Sequence, residues 1–195
     1  VDELLREEAI GLDIETTGLD PLLGKIRLVQ IATSRDTYVF DINHVPASVL
    51  NPLLVGAPIK IIHNAKFDAS FLYEGPNGVM PEPIYDTMIT DQVLHHRSYP
   101  RSLKDVSKEY LGVDLDKEEQ TSDWSAEILS EAQLQYAAQD AAVLLPIRRI
   151  LDEKAAKLQI TEVVELENRL VPAICWMERA GVNLDRGLWD KLVKI

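Results

Sequence analysis

Ala9-Ile10-Gly11-Leu12-Asp13-Ile14-Glu15-Thr16 is the stretch on which the fold turns. Ile10, Leu12 and Ile14 share one face and Gly11, Asp13 and Glu15 the other, which predicts a strand with one buried side. Gly18-Leu19-Asp20-Pro21 reads as a turn. Runs rich in β-branched and aromatic side chains at about 25–33 and 37–42 predict two more strands. A short helix near 47–55 then leads to Ile59-Lys60-Ile61-Ile62, a fourth strand. Three strands on short turns and a fourth reached through a helix predict an α/β fold with a mixed sheet.

Helical patterns dominate the rest. Asn64 is suited to cap a helix over 65–74, in which Phe67 and Phe71 lie one turn apart. Further helices are expected at 86–96 and at 102–111, the second ended by Gly112. After a turn-rich acidic stretch, 113–125, one long helix is expected from 130 to 158, kinked at Pro146. Another over 161–179 stops at Gly181, and Asn183-Leu184-Asp185 opens a further element.

Composition narrows the function. Of 195 residues, 20 are basic and 32 acidic, a formal charge of −12, and 46% are apolar. That apolar share supports a core and excludes disorder. No apolar run approaches the ~18 residues of a membrane-crossing helix. A single cysteine, Cys175, excludes an internal disulfide and fits a reducing compartment. The opening Val1-Asp2-Glu3 carries no secretory signal and lacks Met, so the chain is expected to be a fragment. So acidic a surface argues against holding a duplex by charge neutralisation. It leaves open nucleic-acid binding through divalent cations held on carboxylates.

Three groups of residues point to such a site. On a strand, Asp13 and Glu15 project together about 6.6 Å apart. At an effective dielectric near 20 two charges ~7 Å apart repel by about 2.4 kcal/mol, which a divalent cation offsets. Asp68 falls in the first turn of its helix, where the dipole favours a carboxylate. Tyr136 and Asp140, four apart, share a helix face with Val143 and Ile147, and an acid there needs a partner or a metal. Each also has an ordinary structural reading: a polar edge-strand face, helix-start support, the rim of an amphipathic face. Together they form an all-oxygen donor set without thiolate or imidazole, suited to Mg²⁺ or Mn²⁺ rather than to a closed zinc site.

In order along the chain stand Asp13-Ile14-Glu15-Thr16, His63-Asn64-Ala65-Lys66-Phe67-Asp68 and Tyr136-Ala137-Ala138-Gln139-Asp140. This set resembles the three exonuclease motifs of the DEDD superfamily, in its tyrosine branch of ribonuclease D, Werner-type exonucleases and proofreading domains of family A DNA polymerases. The resemblance spans roughly residues 8–158 and implies a ribonuclease H-like fold, a mixed central sheet flanked by helices, with a helical C-terminal extension. By motif position Asp13 resembles the ligand that bridges two divalent metal ions, Mg²⁺ or Mn²⁺. Glu15 and Asp140 resemble the other ligands of the water-activating ion, and Asp68 the residue that holds the second. Tyr136 resembles the residue that orients the attacking water, its ordinary pKa near 10 making it a poor base. Thr16 and Leu19 match contacts to the terminal nucleotide, Asn64 and Phe67 neighbours of the scissile phosphate and its sugar. Asp86 matches a supporting position.

Among basic residues Lys66 and Lys117 are the preferred strand contacts, ahead of Lys25, Arg27, Arg97, Arg101 and Lys104. His95-His96 is expected at a solvated helix end, and Cys175 in packing. Ser102-Leu103-Lys104-Asp105-Val106 and Asp123-Trp124-Ser125 are similar to the ribonuclease D group. Glu167-Asn168-Arg169-Leu170-Val171-Pro172 and Met177-Glu178-Arg179-Ala180-Gly181 look like the segment that opens a family A polymerase domain. The resemblance thus implies an exonuclease domain over 1–158 and the truncated start of a polymerase domain over 159–195. Its substrate would be the 3′ end of single-stranded or frayed DNA, cut to nucleoside 5′-monophosphates. A polymerase in cis, a monomeric fragment, no membrane, and a nucleoid-associated cytoplasmic or organellar setting go with that reading. An exoribonuclease like ribonuclease D and a non-catalytic nucleic-acid-binding module are the alternatives.

Overall fold

The computed structural model describes residues 1–74, 78–96, 99–116, 119 and 122–194. Its centre is a five-stranded sheet made of β1 (Ala9–Thr16), β2 (Ile26–Ala32), β3 (Thr37–Asp41), β4 (Ile59–Ile62) and β5 (Ile84–Asp86). The spatial order is β3-β2-β1-β4-β5. β1–β2 and β2–β3 are antiparallel hairpins, whereas β4 and β5 join parallel, each after a crossover. The sheet is therefore mixed, as expected, with one strand more. β5 is only three residues long and ends at Asp86, which caps the helix expected over 86–96.

The helices are α1 (Asn51–Leu54), α2 (Ala65–Glu74), α3 (Thr87–His95), α4 (Leu103–Leu111), α5 (Glu131–Ala142), α6 (Leu144–Leu158), α7 (Thr161–Ala180) and α8 (Arg186–Val193). The single kinked helix expected over 130–158 is two helices, broken at Val143. Pro146 lies in the first turn of α6, where a missing N–H costs little, and its ring excludes a continuous helix through the carbonyl of Ala142. α5 is secured at its start by a capping box, Ser130 and Gln133 each satisfying the other's backbone N–H.

Period two on β1 decides the layering. Ile10, Leu12 and Ile14 enter a core with Val29 and Ile31 of β2, Phe71 and Leu72 of α2, and Val171 and Cys175 of α7. On the opposite side α5 crosses β1, β2 and β3. Gly11 permits close approach there: a Cβ at that position would stand 2.5 Å from the Ala141 carbonyl oxygen. A second core gathers Ile61, Leu94, Val106, Leu144, Ile147 and Val164 around α6. α7 buries Val164, Asn168, Val171 and Cys175 against the same body, whereas α8 buries no side chain. Among the described residues no helix is long and apolar enough to cross a membrane.

Candidate active site

Three elements bring the predicted acids into one place. β1 carries Asp13 and Glu15 at its C-terminal end, beside a bulge between Glu15 and Thr16. α2 presents Asp68 from its first turn, and α5 lays Tyr136 and Asp140 across the sheet face that Asp13 and Glu15 share.

Electrostatics ties them together. Burial, then the charge of Asp140, pushes the Asp13 carboxyl well above the usual carboxylate range. Burial, then Asp13 and Asp140, lifts Glu15 from 4.5 to about 9. Asp68, 3% exposed, is raised by burial and then by Asp13, with smaller contributions from Asp86 and Glu15. The Tyr136 hydroxyl is hydrogen-bonded to Asp140 and is pushed upward by burial and by the acids, so it stays protonated. Burial and then the neighbouring acids raise the proton affinity of Asp13, Glu15 and Asp68, and a cation competing for the same oxygens relieves the same strain.

That donor set fits a hard divalent cation: four carboxylates, with neither thiolate nor imidazole among them. Among the described residues no three His, Cys, Asp or Glu side chains stand together as a metal-holding group. Gln30 pairs across the β1–β2 ladder with Asp13, and both atoms of its buried side-chain amide lack a hydrogen-bond partner in the described structure.

The first turn of α2 is held in an unexpected way. Asn64 has φ 65°, in the left-handed region rather than the extended conformation of a capping residue. The cap comes from Asp86 instead, whose carboxylate accepts the Asn64 and Ala65 N–H groups at 3.1 and 2.7 Å. The same carboxylate caps α3 through Met88 and Ile89 N–H. Burial lifts Asp86 to about 6 despite these four donors. His63 precedes this turn, with Nε2 2.9 Å from the Arg101 carbonyl and Nδ1 2.9 Å from the Thr87 hydroxyl. Burial pushes it down to about 4, so it is neutral, its Nε2–H donating to the Arg101 carbonyl and its Nδ1 against the Thr87 hydroxyl, which also meets the Ile62 carbonyl at 3.2 Å.

The predicted strand contacts scatter. Thr16 donates its hydroxyl to the Gly18 carbonyl at 2.7 Å, and Leu19 is 86% exposed on the turn beside it. Phe67 packs against Phe71 in a tilted arrangement, ring centroids 4.9 Å apart. Lys66 is paired with Glu178 at 2.9 Å, Lys104 with Asp114 at 3.1 Å, and Arg27 is buried against Asp41. Lys117 and Arg97 lie outside the described residues. His95 is not simply solvated: it meets the Tyr110 hydroxyl at 2.9 Å. Cys175 is buried, as expected of a packing residue.

Sequence reading gave no site role to Gln30, nor to Trp124 and Asn168 within the segments it singled out; the Trp124 ring lies 6.3 Å from that of Tyr136. Only strand register and interhelix packing reveal them.

A family model described as a 3′–5′ exonuclease matches residues 1–156. The chain belongs to that 3′–5′ exonuclease family. It is 42% identical over 135 residues to DNA polymerase I of Aquifex aeolicus, covering 68% of this chain and 22% of that protein. It is 30% identical over 181 residues to ribonuclease D of Haemophilus influenzae, covering 86% of this chain and 42% of that protein. The exonuclease chain therefore spans less than half the length of these curated relatives. Among solved structures, Brucella melitensis NrnC is similar with a TM-score of 0.82 and 30% identity, over 91% of this chain and 88% of that one. NrnC has also been solved bound to pGG and with bound Mg²⁺. These likenesses agree with the mixed sheet in giving a ribonuclease H-like, DEDD-type exonuclease fold with a helical C-terminal part.

Proposed function

We propose that this exonuclease domain hydrolyses the terminal phosphodiester at the 3′ end of single-stranded or frayed DNA, releasing nucleoside 5′-monophosphates with two Mg²⁺ or Mn²⁺ ions. The observation that carries this reading is that Asp13, Glu15 and Asp68 are all raised, first by burial and then by neighbouring acids. Asp140 acts on Asp13 and Glu15, and Asp13 acts on Glu15 and Asp68. Asp13, influenced by Asp140 of α5 and itself acting on Asp68 of α2, would hold the ions together with Glu15, Asp140 and Asp68. When bound, the ions activate water and offset charge on the phosphate as it is attacked in line. The chain's own work is placement. Asp140 holds the Tyr136 hydroxyl, and a phenol kept protonated donates a hydrogen bond that aligns the attacking water instead of removing its proton. On this reading Thr16, Leu19, Asn64 and Phe67 would contact the terminal nucleotide, with Lys66 and Lys117 as further strand contacts. An open hollow of about 760 Å³ is lined by Thr17, Lys25, Phe71 and Trp124, and none of the four acids lines it.

DNA is favoured because the polymerase I match is the more identical one, 42% against 30%. On that reading residues 1–158 are a proofreading domain and 159–195 open a family A polymerase domain in cis. The isolated chain would be a monomer, and the parent protein would work at the nucleoid or in an organelle. A ribonuclease D-like action on RNA is the second reading, favoured by a match that runs over 86% of the chain. Matched single-stranded DNA and RNA, digested in parallel with Mn²⁺, separate the two. Faster release of mononucleotides from DNA is expected, a strong RNA preference overturns the substrate, and no release overturns the enzyme.

A further inference from the structure

α7 lies outside the three acidic motifs, yet one of its side chains reaches their support. Its buried stripe is Val164, Asn168, Val171 and Cys175, in which Asn168 is polar and only 4% exposed. A buried carboxamide costs free energy unless its hydrogen bonds are made, and Leu would fill an apolar stripe without that demand. Asn168 makes its bonds to the element that supports Asp68. Its Oδ1 accepts the Asp86 N–H. Its Nδ2 donates to the Val164 carbonyl at 2.8 Å and lies 3.4 Å from the Thr90 hydroxyl oxygen. Thr90 in turn donates to the Asp86 carbonyl at 2.8 Å.

Asp86 is thus fixed at both its N–H and its C=O, by side chains from two different helices. Fixing its main chain aims its carboxylate, which grips the Asn64 and Ala65 amides where α2 begins. Asp68 stands in the turn so gripped.

We propose that Asn168 is a positioning residue of the carboxylate centre, acting through Asp86 on the first turn of α2 and so on the placement of Asp68. The inference rests on the reading of Asp68 as a metal ligand given above. Outer partners of a metal ligand typically contribute tenfold to a hundredfold in affinity or activity.

The test uses the full 195-residue chain and three readouts: amide hydrogen exchange at Asn64 and Ala65, Mn²⁺ binding by calorimetry, and steady-state cleavage of an oligonucleotide. Asn168→Leu is expected to speed exchange at those amides about tenfold, to weaken Mn²⁺ binding about tenfold and to lower kcat by a similar factor, leaving KM within about twofold. Val171→Ala removes packing from the same helix and leaves the hydrogen-bond chain untouched. It is expected to lower thermal stability while exchange at Asn64 and Ala65 and Mn²⁺ affinity stay near wild type. Should Asn168→Leu fail to fold, Thr90→Val takes its place, with a smaller shift in the same direction. Wild-type exchange and metal affinity in the variant used, or an equal loss in Val171→Ala, overturns the inference. A wild-type chain that neither binds Mn²⁺ nor releases mononucleotides overturns the underlying functional reading instead.

Discussion

Two buried acidic clusters in this molecule reach opposite states. Asp91, fully buried on α3, receives Arg101 through two N–H groups at 2.8 and 2.6 Å and the Tyr110 hydroxyl at 2.5 Å. Burial pushes its carboxyl up, but those hydrogen bonds and the guanidinium charge outweigh it and hold it below the usual range. Arg101 also binds Glu109, and its carbonyl receives His63. At the other cluster the largest influences on Asp13, Glu15 and Asp68 are burial and neighbouring acids, and all three rise. Burial alone therefore does not set the state of an acid; the source of the compensating cation does. The chain supplies its own at Asp91, where the cluster braces the fold. At Asp13, on the function proposed above, the cation would come from solution.

The largest expected effect comes from removing an acid of the second cluster. Asp13→Ala or Asp140→Ala should reduce cleavage at least about a thousandfold, a loss near 4 kcal/mol in the barrier, with circular dichroism unchanged. Undiminished Mn²⁺-dependent cleavage in either variant erases the distinction between the clusters.

The first cluster should fail in the opposite manner. Arg101→Met strands Asp91 without its cation and should cost about 3–5 kcal/mol in urea unfolding. A loss below about 1 kcal/mol would mean that the pair does not brace the fold.

Tyr136→Phe is expected to lower kcat about a hundredfold, the usual effect of losing one well-placed donor, while Mn²⁺ affinity stays close to wild type. Equal losses in kcat and affinity would make the hydroxyl a ligand support instead.

Stability against pH sharpens the contrast further. Glu15 holds its proton more tightly folded than unfolded, so its contribution is complete below about 4.5 and is lost as pH rises through about 9. Asp13 and Asp68 act in the same direction. Asp86 completes its own loss near 6, and Lys60, pushed down to about 8 by burial, works oppositely only above that pH. His63, pushed down to about 4 from 6.5, works oppositely below the latter. In EDTA, melting temperature should therefore fall between about pH 6.5 and 8, and saturating Mg²⁺ should flatten the curve. A metal-free curve that rises over this interval contradicts the raised acids.

How much of this was legible in the sequence follows from the range of each interaction. β1 was readable because period two separates Ile10, Leu12 and Ile14 from Asp13 and Glu15 within eight residues. The helical face of Tyr136 and Asp140 was readable because residues four apart lie one turn apart, but its extension to Val143 and Ile147 was not, since the helix breaks at Val143. β5 was not, because three residues carry no period and their strand state depends on pairing with β4. Pro146 announced a disturbance, but the break falls at Val143, next to the carbonyl its ring excludes. The Asp86 cap joins residues 21 or more apart, so Asn64 was the nearer choice and the wrong one. The fates of Lys66, Lys104 and Arg27 depend on tertiary partners that spacing does not reveal.

The smallest effect concerns Gln30, whose buried amide lacks partners opposite Asp13. Gln30→Leu should stabilise the metal-free chain by about 1 kcal/mol in denaturant unfolding, since an unmade buried hydrogen bond costs that much or more. Destabilisation would mean that the amide already has a partner, such as ordered water.

The most direct test is an anomalous difference map from crystals soaked in Mn²⁺. The account predicts density between Asp13 of β1 and Asp140 of α5, with a second peak toward Asp68. A map that is flat there at saturating Mn²⁺, while the same crystals diffract well, would contradict it.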